Sequence, residues 1–291
     1  MKLALIVNPV AGGGRARRAL AEVQQELTSL GLEHRAELTR GLDHARELAS
    51  AARAAGEVAV AFGGDGLVGA VAGALKHSDG VLGVLPGGRG NDVARALGIS
   101  LQPRAACDVL AGGVVRSLDL CEVDSKTFIG IASCGFDSDA NRIANQTRLV
   151  RGKLVYTYGA VRALITWRPA TFTVVLDDEI RRTSTGYSVA AANSKSYGGG
   201  MLLAPDASLH DGLLDVVIIS QIPKLRFLRL LPTVFSGTHV KQDSVEVLRG
   251  AVVQISASRP FTIYADGDPI AELPVTVRVL PGAVRAIVPA P

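Results

Sequence analysis

Cysteine is scarce: Cys107, Cys121 and Cys134 are the three in 291 residues. An odd count without metal-ligand spacing argues against a disulfide framework and points to a reducing, cytosolic setting. Aromatic residues make up only 4% of the chain and the basic residues are scattered, so neither stacking platforms nor a basic recognition element for nucleic acid are evident. Long apolar runs are missing as well. No window reaches the roughly 18 unbroken apolar residues of a spanning helix, and even Leu213 to Ile219 contains Asp215. The first apolar run, Leu3 to Val7, stops at Asn8-Pro9, too short for a signal-peptide core. Membrane contact, where it occurs, is expected to be peripheral. Internal repeats and low-complexity tracts are absent.

What the chain has is 48% hydrophobic residues, dominated by small and branched aliphatic types, and 32 glycines. That balance suits helices packed closely on a parallel sheet. A net charge of +4 favours anionic partners such as nucleotides or phospholipid headgroups without choosing among them. The first third alternates strand and helix: strand Leu3–Val7, helix near Arg15–Leu30, a polar segment near Glu33–Leu38, helix near Leu42–Ala55 and strand Val58–Phe62. A helix near Leu67–Leu75, a strand Gly80–Leu85 and a helix near Asp92–Leu97 continue it. This is the grammar of an α/β domain, whose ligands sit at the carboxyl ends of the strands. From about Asp119 short β-rich runs take over, with helical interruptions near Val155–Trp167 and Lys224–Phe235, and a second, mostly antiparallel domain is expected. Periodicity alone does not assign the last run, Ala283–Val288, to either sheet.

Three glycine loops follow three strands. Asn8-Pro9-Val10-Ala11-Gly12-Gly13-Gly14 precedes a helix and exposes backbone N–H groups where a phosphate is favoured. Gly63-Gly64-Asp65-Gly66 lets a nucleotide approach the backbone and sets a carboxylate beside it. Pro86-Gly87-Gly88-Arg89-Gly90-Asn91-Asp92 places another acid at a helix start. Taken singly, each reads equally well as a solvated turn. Three in succession converge on one sheet edge and define a nucleotide site, with Asp65 and Asp92 handling metal or bound water.

In this order the motifs resemble the catalytic domain of diacylglycerol and sphingosine kinases. The resemblance extends over nearly the whole chain, through Gly135-Phe136-Asp137, Asn193, Tyr197-Gly198-Gly199-Gly200-Met201, Ala204-Pro205-Asp206-Ala207, Asp211-Gly212-Leu213-Leu214-Asp215 and Asp266-Gly267-Asp268. It implies an α/β nucleotide-binding domain, residues 1–118 with about 279–291 returning to it, and a β-rich domain, residues 119–278, that completes the cleft and lipid site. It implies an ATP- and magnesium-dependent kinase acting on a lipid hydroxyl, with diacylglycerol giving phosphatidic acid as the leading case. ATP is placed against Asn8, Pro9, Val10, Ala11, Gly12, Thr39, Gly63, Gly64, Asp65, Gly66, Leu67, Arg89 and Asn91. A structural magnesium is placed on Asp211 and the main-chain carbonyls of Ser208 and Leu213. The catalytic base maps onto Asp268, shorter by one methylene than the Glu of related enzymes, with Asp266 as the second candidate and Asp65 and Asp92 in support.

The chain departs from the family pattern at Leu67, Gly69 and Ala70, where most relatives carry Thr, Asn and Glu, and at Arg89, where most carry Thr. A guanidinium at 89 offers phosphate a fork of donors in exchange. On the acceptor side, Arg148, Arg151 and Lys153, and Lys224, Arg226 and Arg229 among leucines, suit an anionic membrane surface. The expected setting is cytoplasmic, with peripheral contact at the inner membrane face and a homodimer left open. Two other readings stand: a nucleotide or lipid sensor without turnover, and a kinase of a soluble acceptor resembling NAD kinases.

Overall fold

The structure, a computed structural model, describes residues 1–146 and 154–290. Arg148, Arg151 and Lys153 lie outside the described residues. The apolar runs of the first third become strands covered on both faces. β1 (Lys2–Val7), β3 (Val58–Gly63) and β4 (Val81–Pro86) bury nearly every side chain, as parallel strands between helices do. The polar segment Glu33–Leu38 is itself a strand, β2, at the sheet edge. Its charges, paired as Arg35–Glu57 and Lys2–Glu33, protect an edge from pairing with another chain. The parallel order is β2-β1-β3-β4. Helices α1 (Ala11–Ser29), α2 (Leu42–Ala54), α3 (Asp65–Ala74), α4 (Asp92–Ala96) and α5 (Pro103–Gly112) make the connections.

The second half contains β5 (Val114–Val123), β6 (Lys126–Phe128), β7 (Ile131–Gly135), α6 (Phe136–Gln146), α7 (Leu154–Thr166), β8 (Ala170–Leu176) and β9 (Ile180–Ala192). It continues with β10 (Leu214–Ser220), α8 (Lys224–Leu230), two 3-10 turns (Leu231–Ser236 and Thr238–Lys241), β11 (Val245–Gly250), β12 (Val252–Ala257), β13 (Thr262–Ala265), β14 (Asp268–Glu272) and β15 (Val275–Val288). Apart from the end of β15, its pairings are antiparallel. One core fills the space around Val60, Phe62, Leu82 and Leu85, and a second the space around Phe172, Val189, Leu214 and Ile263.

β15 belongs to both halves. Val275–Val279 sits in the second core, while Ala283–Val288 joins the first, running parallel to β4 at Arg285 and Ala286. β5 accompanies it antiparallel on both sides of a bulge between Leu280 and Val284. The halves are therefore joined through two long paired strands, and Asp119, inside β5, lies at their crossing.

Candidate active site

The glycine loops meet because they lack side chains. A Cβ on Gly88 would stand 2.5 Å from Gly64 Cα, and one on Gly12 would stand 2.5 Å from the Gly87 carbonyl. The Gly87 N–H donates to the Gly63 carbonyl at 2.7 Å, and Arg15 donates to the Gly88 carbonyl at 3.1 Å. Gly12, Gly13 and Gly14 have φ of 58°, 70° and 86°, so the right-handed part of α1 starts at Arg15. Asn91, left-handed and buried, accepts the Gly88 N–H at 2.7 Å. It braces the third loop.

Beside these loops stand four carboxylates. A point one Cβ out from Gly90 is 2.8 Å from Asp92 Oδ2 and 3.0 Å from Asp65 Oδ2, so the two acids face one spot. Asp65 Oδ1 accepts the Val93 N–H at 2.9 Å, and Asp92 Oδ2 accepts the Gly199 N–H at 2.8 Å. Asp266 lies at a left-handed corner of the β13–β14 hairpin, φ 50°, and its carboxylate accepts the N–H groups of Ile129, Gly130 and Ile131 at 3.0 to 3.2 Å. Asp268 opens β14 and turns its carboxylate onto α3, where a Cβ on Gly66 would lie 2.7 Å from its Oδ2. Its carboxylate has no hydrogen-bond partner among the described residues, while its backbone pairs with Ala265.

Burial pushes Asp65 up to about 6, with the Val93 N–H opposing and Asp92 adding to the rise. Burial also pushes Asp266 up to about 7, against its N–H donors and with Asp65 adding to the rise. Asp92 and Asp268 are raised too, burial again leading. Such a cluster of acids calls for positive charge. Arg95 comes only to 4.0 Å of Asp92 Oδ1, and Arg89 lies exposed on the rim. The donor set and the open glycine edge fit a magnesium-bearing triphosphate.

From the acids a cleft of about 640 Å³ runs into the second half. Its near end holds Asp65, Asp92 and Asp266; its far walls are apolar, with Met201, Leu203, Ile219, Leu228, Leu231 and Phe235 among them. The scarce aromatics gather beneath it. Phe227 of α8 stacks on Tyr187 at 3.8 Å between centroids and meets Phe136 edge-on at 4.8 Å, fixing α8 over the sheet.

Some expected residues are not at the surface of the site. Leu67 is 2% exposed and packs its side chain over Gly63; an aliphatic group there fills core and offers phosphate only its backbone. Thr39 is buried behind β1, its N–H on the Val7 carbonyl. Gly69 leaves an opening beside Asp266, whose Oδ2 lies 3.7 Å from where its Cβ would be. Asp211 is engaged by the guanidinium of Arg249 and by the Leu213 N–H at 3.1 Å. Of the set Ser208, Asp211 and Leu213, it is Asp211 that the guanidinium meets. Sequence reasoning passed over Ser133, Asp137 as a site group, Arg95 and Asp119; for Asp119 the signal lay in pairing with Gly212 and Gly282, 93 and 163 positions away, that no local motif encodes.

Comparison with known proteins agrees with this architecture. Residues 2–123 match the diacylglycerol kinase catalytic domain and residues 130–288 the YegS C-terminal NAD kinase beta sandwich-like domain. A diacylglycerol kinase of Mycobacterium tuberculosis is 35% identical over 233 residues, 78% of this chain and 75% of the relative. One of Bacillus subtilis is 29% identical over 269 residues, 91% and 88% respectively. The fold is that of a Bacillus anthracis diacylglycerol kinase structure, TM-score 0.74 at 18% identity over 99% of this chain and 96% of that one. An Archaeoglobus fulgidus NAD kinase structure is more distant, TM-score 0.50 at 13% identity over 99% and 93%. Fold and site together define a kinase class in which an α/β domain and a β-sandwich enclose a cleft. Within it, this chain belongs to the diacylglycerol kinase family of lipid kinases.

Proposed function

We propose that this chain transfers the γ-phosphate of ATP to a hydroxyl of a membrane lipid, with diacylglycerol, converted to phosphatidic acid, as the reference acceptor. The observation that carries the reading is a single cleft with acids and glycine loops at one end and apolar walls at the other. That polarity matches an acceptor with a small hydroxylated head and long acyl chains.

The N–H groups of the first loop and the turn into α3 face the phosphate side, and Arg89 on the rim adds a forked donor. Magnesium bound with the triphosphate would spread charge on the transferring group between Asp65 and Asp92. The lipid oxygen forms its bond to the γ-phosphorus as the bond to the bridging oxygen breaks, and its proton passes to Asp268. That carboxylate is chosen because its oxygens are unencumbered, whereas those of Asp266 are filled by three backbone donors and serve to fix the hairpin corner. The missing methylene is absorbed by the hairpin, which already brings Asp268 onto α3.

The test is transfer of labelled γ-phosphate, with magnesium, to a lipid extract. Wild type is expected to give a chloroform-soluble product, with Asp268→Ala and Asp65→Ala each reduced about 100-fold or more. ATP binding without lipid label would move the reading to a sensor, and label confined to the aqueous phase would move it to a soluble acceptor.

A further inference from the structure

Asp137 lines the cleft at the start of α6, and nothing in the transfer chemistry above uses it. Ser133 and the first amides of α6 favour its ionised form against burial, while Oδ1 is enclosed and has no partner among the described residues. An ionisable group in that state is a cost to the fold unless something completes it. Burial holds its pKa up to about 6, so at neutral pH it is chiefly ionised and can only accept hydrogen bonds.

Its position relative to the reacting end is defined by β7. Asp266 accepts the N–H of Ile131, and Ser133, two residues further along that strand, lines the cleft together with Asp137. Two strand residues span about 7 Å. Tyr197, from the glycine loop that caps Asp92, lies within electrostatic reach of both Asp92 and Asp137. The acid is therefore set a short distance up the cleft from the catalytic carboxylates, at the level of the acceptor's head rather than its tails.

We propose that Asp137 is a specificity residue that binds a second hydrogen-bond donor, a hydroxyl or an amino group, carried by the acceptor lipid beside the hydroxyl that is phosphorylated. This rests on the lipid kinase reading and extends its acceptor range beyond diacylglycerol, whose headgroup has one free hydroxyl. A helix-start acid with only a structural role would affect every acceptor alike. A donor-binding acid affects only those with a donor to give, because the complementary group is otherwise left unpaired.

The experiment compares kcat/KM for 1,2-dioleoylglycerol, 1-oleoylglycerol and 2-aminooctadecan-1-ol in mixed detergent micelles, for wild type, Asp137→Asn and Ser133→Ala. Asparagine keeps the size of the side chain, and Tm is measured in parallel. Removing the carboxylate is expected to lower the ratio of either donor-bearing acceptor to dioleoylglycerol about tenfold or more, chiefly through KM. Ser133→Ala, which removes a neighbouring hydroxyl from the same stretch of cleft wall, is expected to give a smaller loss in that ratio. A loss confined to the amino lipid supports the proposal with an ammonium as the donor. All three acceptors turned over with ratios unchanged in both variants would overturn it while leaving the kinase reading intact. No lipid labelled even by wild type would overturn the kinase reading, and this inference with it.

Discussion

Asp65 and Asp266 bring four residue-scale facts together: burial, backbone donors, mutual repulsion and chemistry. Burial raises Asp266 to about 7 and Asp65 to about 6, with the charge of Asp65 adding to the rise at Asp266 and that of Asp92 to the rise at Asp65. In the unfolded chain such carboxyls titrate near 4. Folding therefore takes up protons between about pH 4 and 7, and the stability these two groups contribute is lost as the pH rises through that window. Activity runs the other way, because the ionised acids are needed to receive a proton and to face a cation. The acid limb of the kcat/KM profile is expected to lie well above the ordinary carboxyl range and to report the cluster as a whole. Asp65→Asn removes one charge, so the residual activity should show that limb displaced to lower pH, and stability at neutral pH should depend less steeply on pH. An acid limb that stays in place in Asp65→Asn would show that the two carboxylates are not coupled in the way their burial implies.

At the scale of elements, the turn before β10 carries the acid on which the resemblance places a magnesium, and the structure sets an arginine beside it. The register of β10 and β11 sets Asp215 opposite Arg249, and the guanidinium lies on Asp211 with its Nε 3.6 Å from Asp215 Oδ1. Asp215 is buried and would be an uncompensated charge without that neighbour. A cation is thus already provided from within the chain. Wild type freed of loosely bound ions is expected to carry less than stoichiometric magnesium, and EDTA should leave its Tm unchanged. Arg249→Ala should lose about 1–2 kcal/mol, a modest value because Arg249 is half exposed, and should regain part of it when magnesium is added. Stoichiometric magnesium in the wild type, with a Tm that falls on chelation, would show a metal at this turn in place of the internal cation.

The same scale shows what the sequence made legible. β1, β3 and β4 were readable because strands buried on both faces are written as apolar runs with clear stops, here Asn8-Pro9, Gly63-Gly64 and Pro86-Gly87. β14 was not, since Asp268-Pro269 reads as a turn, yet proline is tolerated there because β14 pairs only with β13 at the sheet edge. α6 escaped because it is largely polar; Phe136, Ala140 and Ile143 are what meets the core among its described side chains. The acids of the site were visible as turn motifs. Their partners were not: Asp266 is held by amides 135 to 137 positions away, a pairing that exists only once β13 lies on β7.

At the scale of the whole molecule, the question is what sets the two halves at a working distance, and Asp119 answers it. Its Oδ1 accepts the Gly282 N–H at 2.7 Å in the bulge of β15, and its Oδ2 accepts the Gly212 N–H at 2.8 Å in the turn before β10. Its carbonyl accepts Asn193 Nδ2 at 3.1 Å, and the same amide group donates to the Ile129 carbonyl at 2.8 Å. The Ile129 N–H in turn donates to Asp266. One run of hydrogen bonds therefore leads from the strand crossing to the hairpin corner, and its middle members, Asp119, Asn193 and Ile129, are buried away from water that could replace a lost partner. Asp119→Ala leaves two backbone N–H groups without acceptors, and a loss of about 3 kcal/mol is expected in chemical denaturation. Asn193→Ala should lower kcat as well as stability, since it breaks the link to the residues that hold Asp266. The double variant distinguishes a network from two separate braces: coupled groups should lose less together than the sum of the single losses. Strict additivity in both stability and kcat would mean that the crossing and the acid cluster are set independently, with Asp119 no more than a local staple.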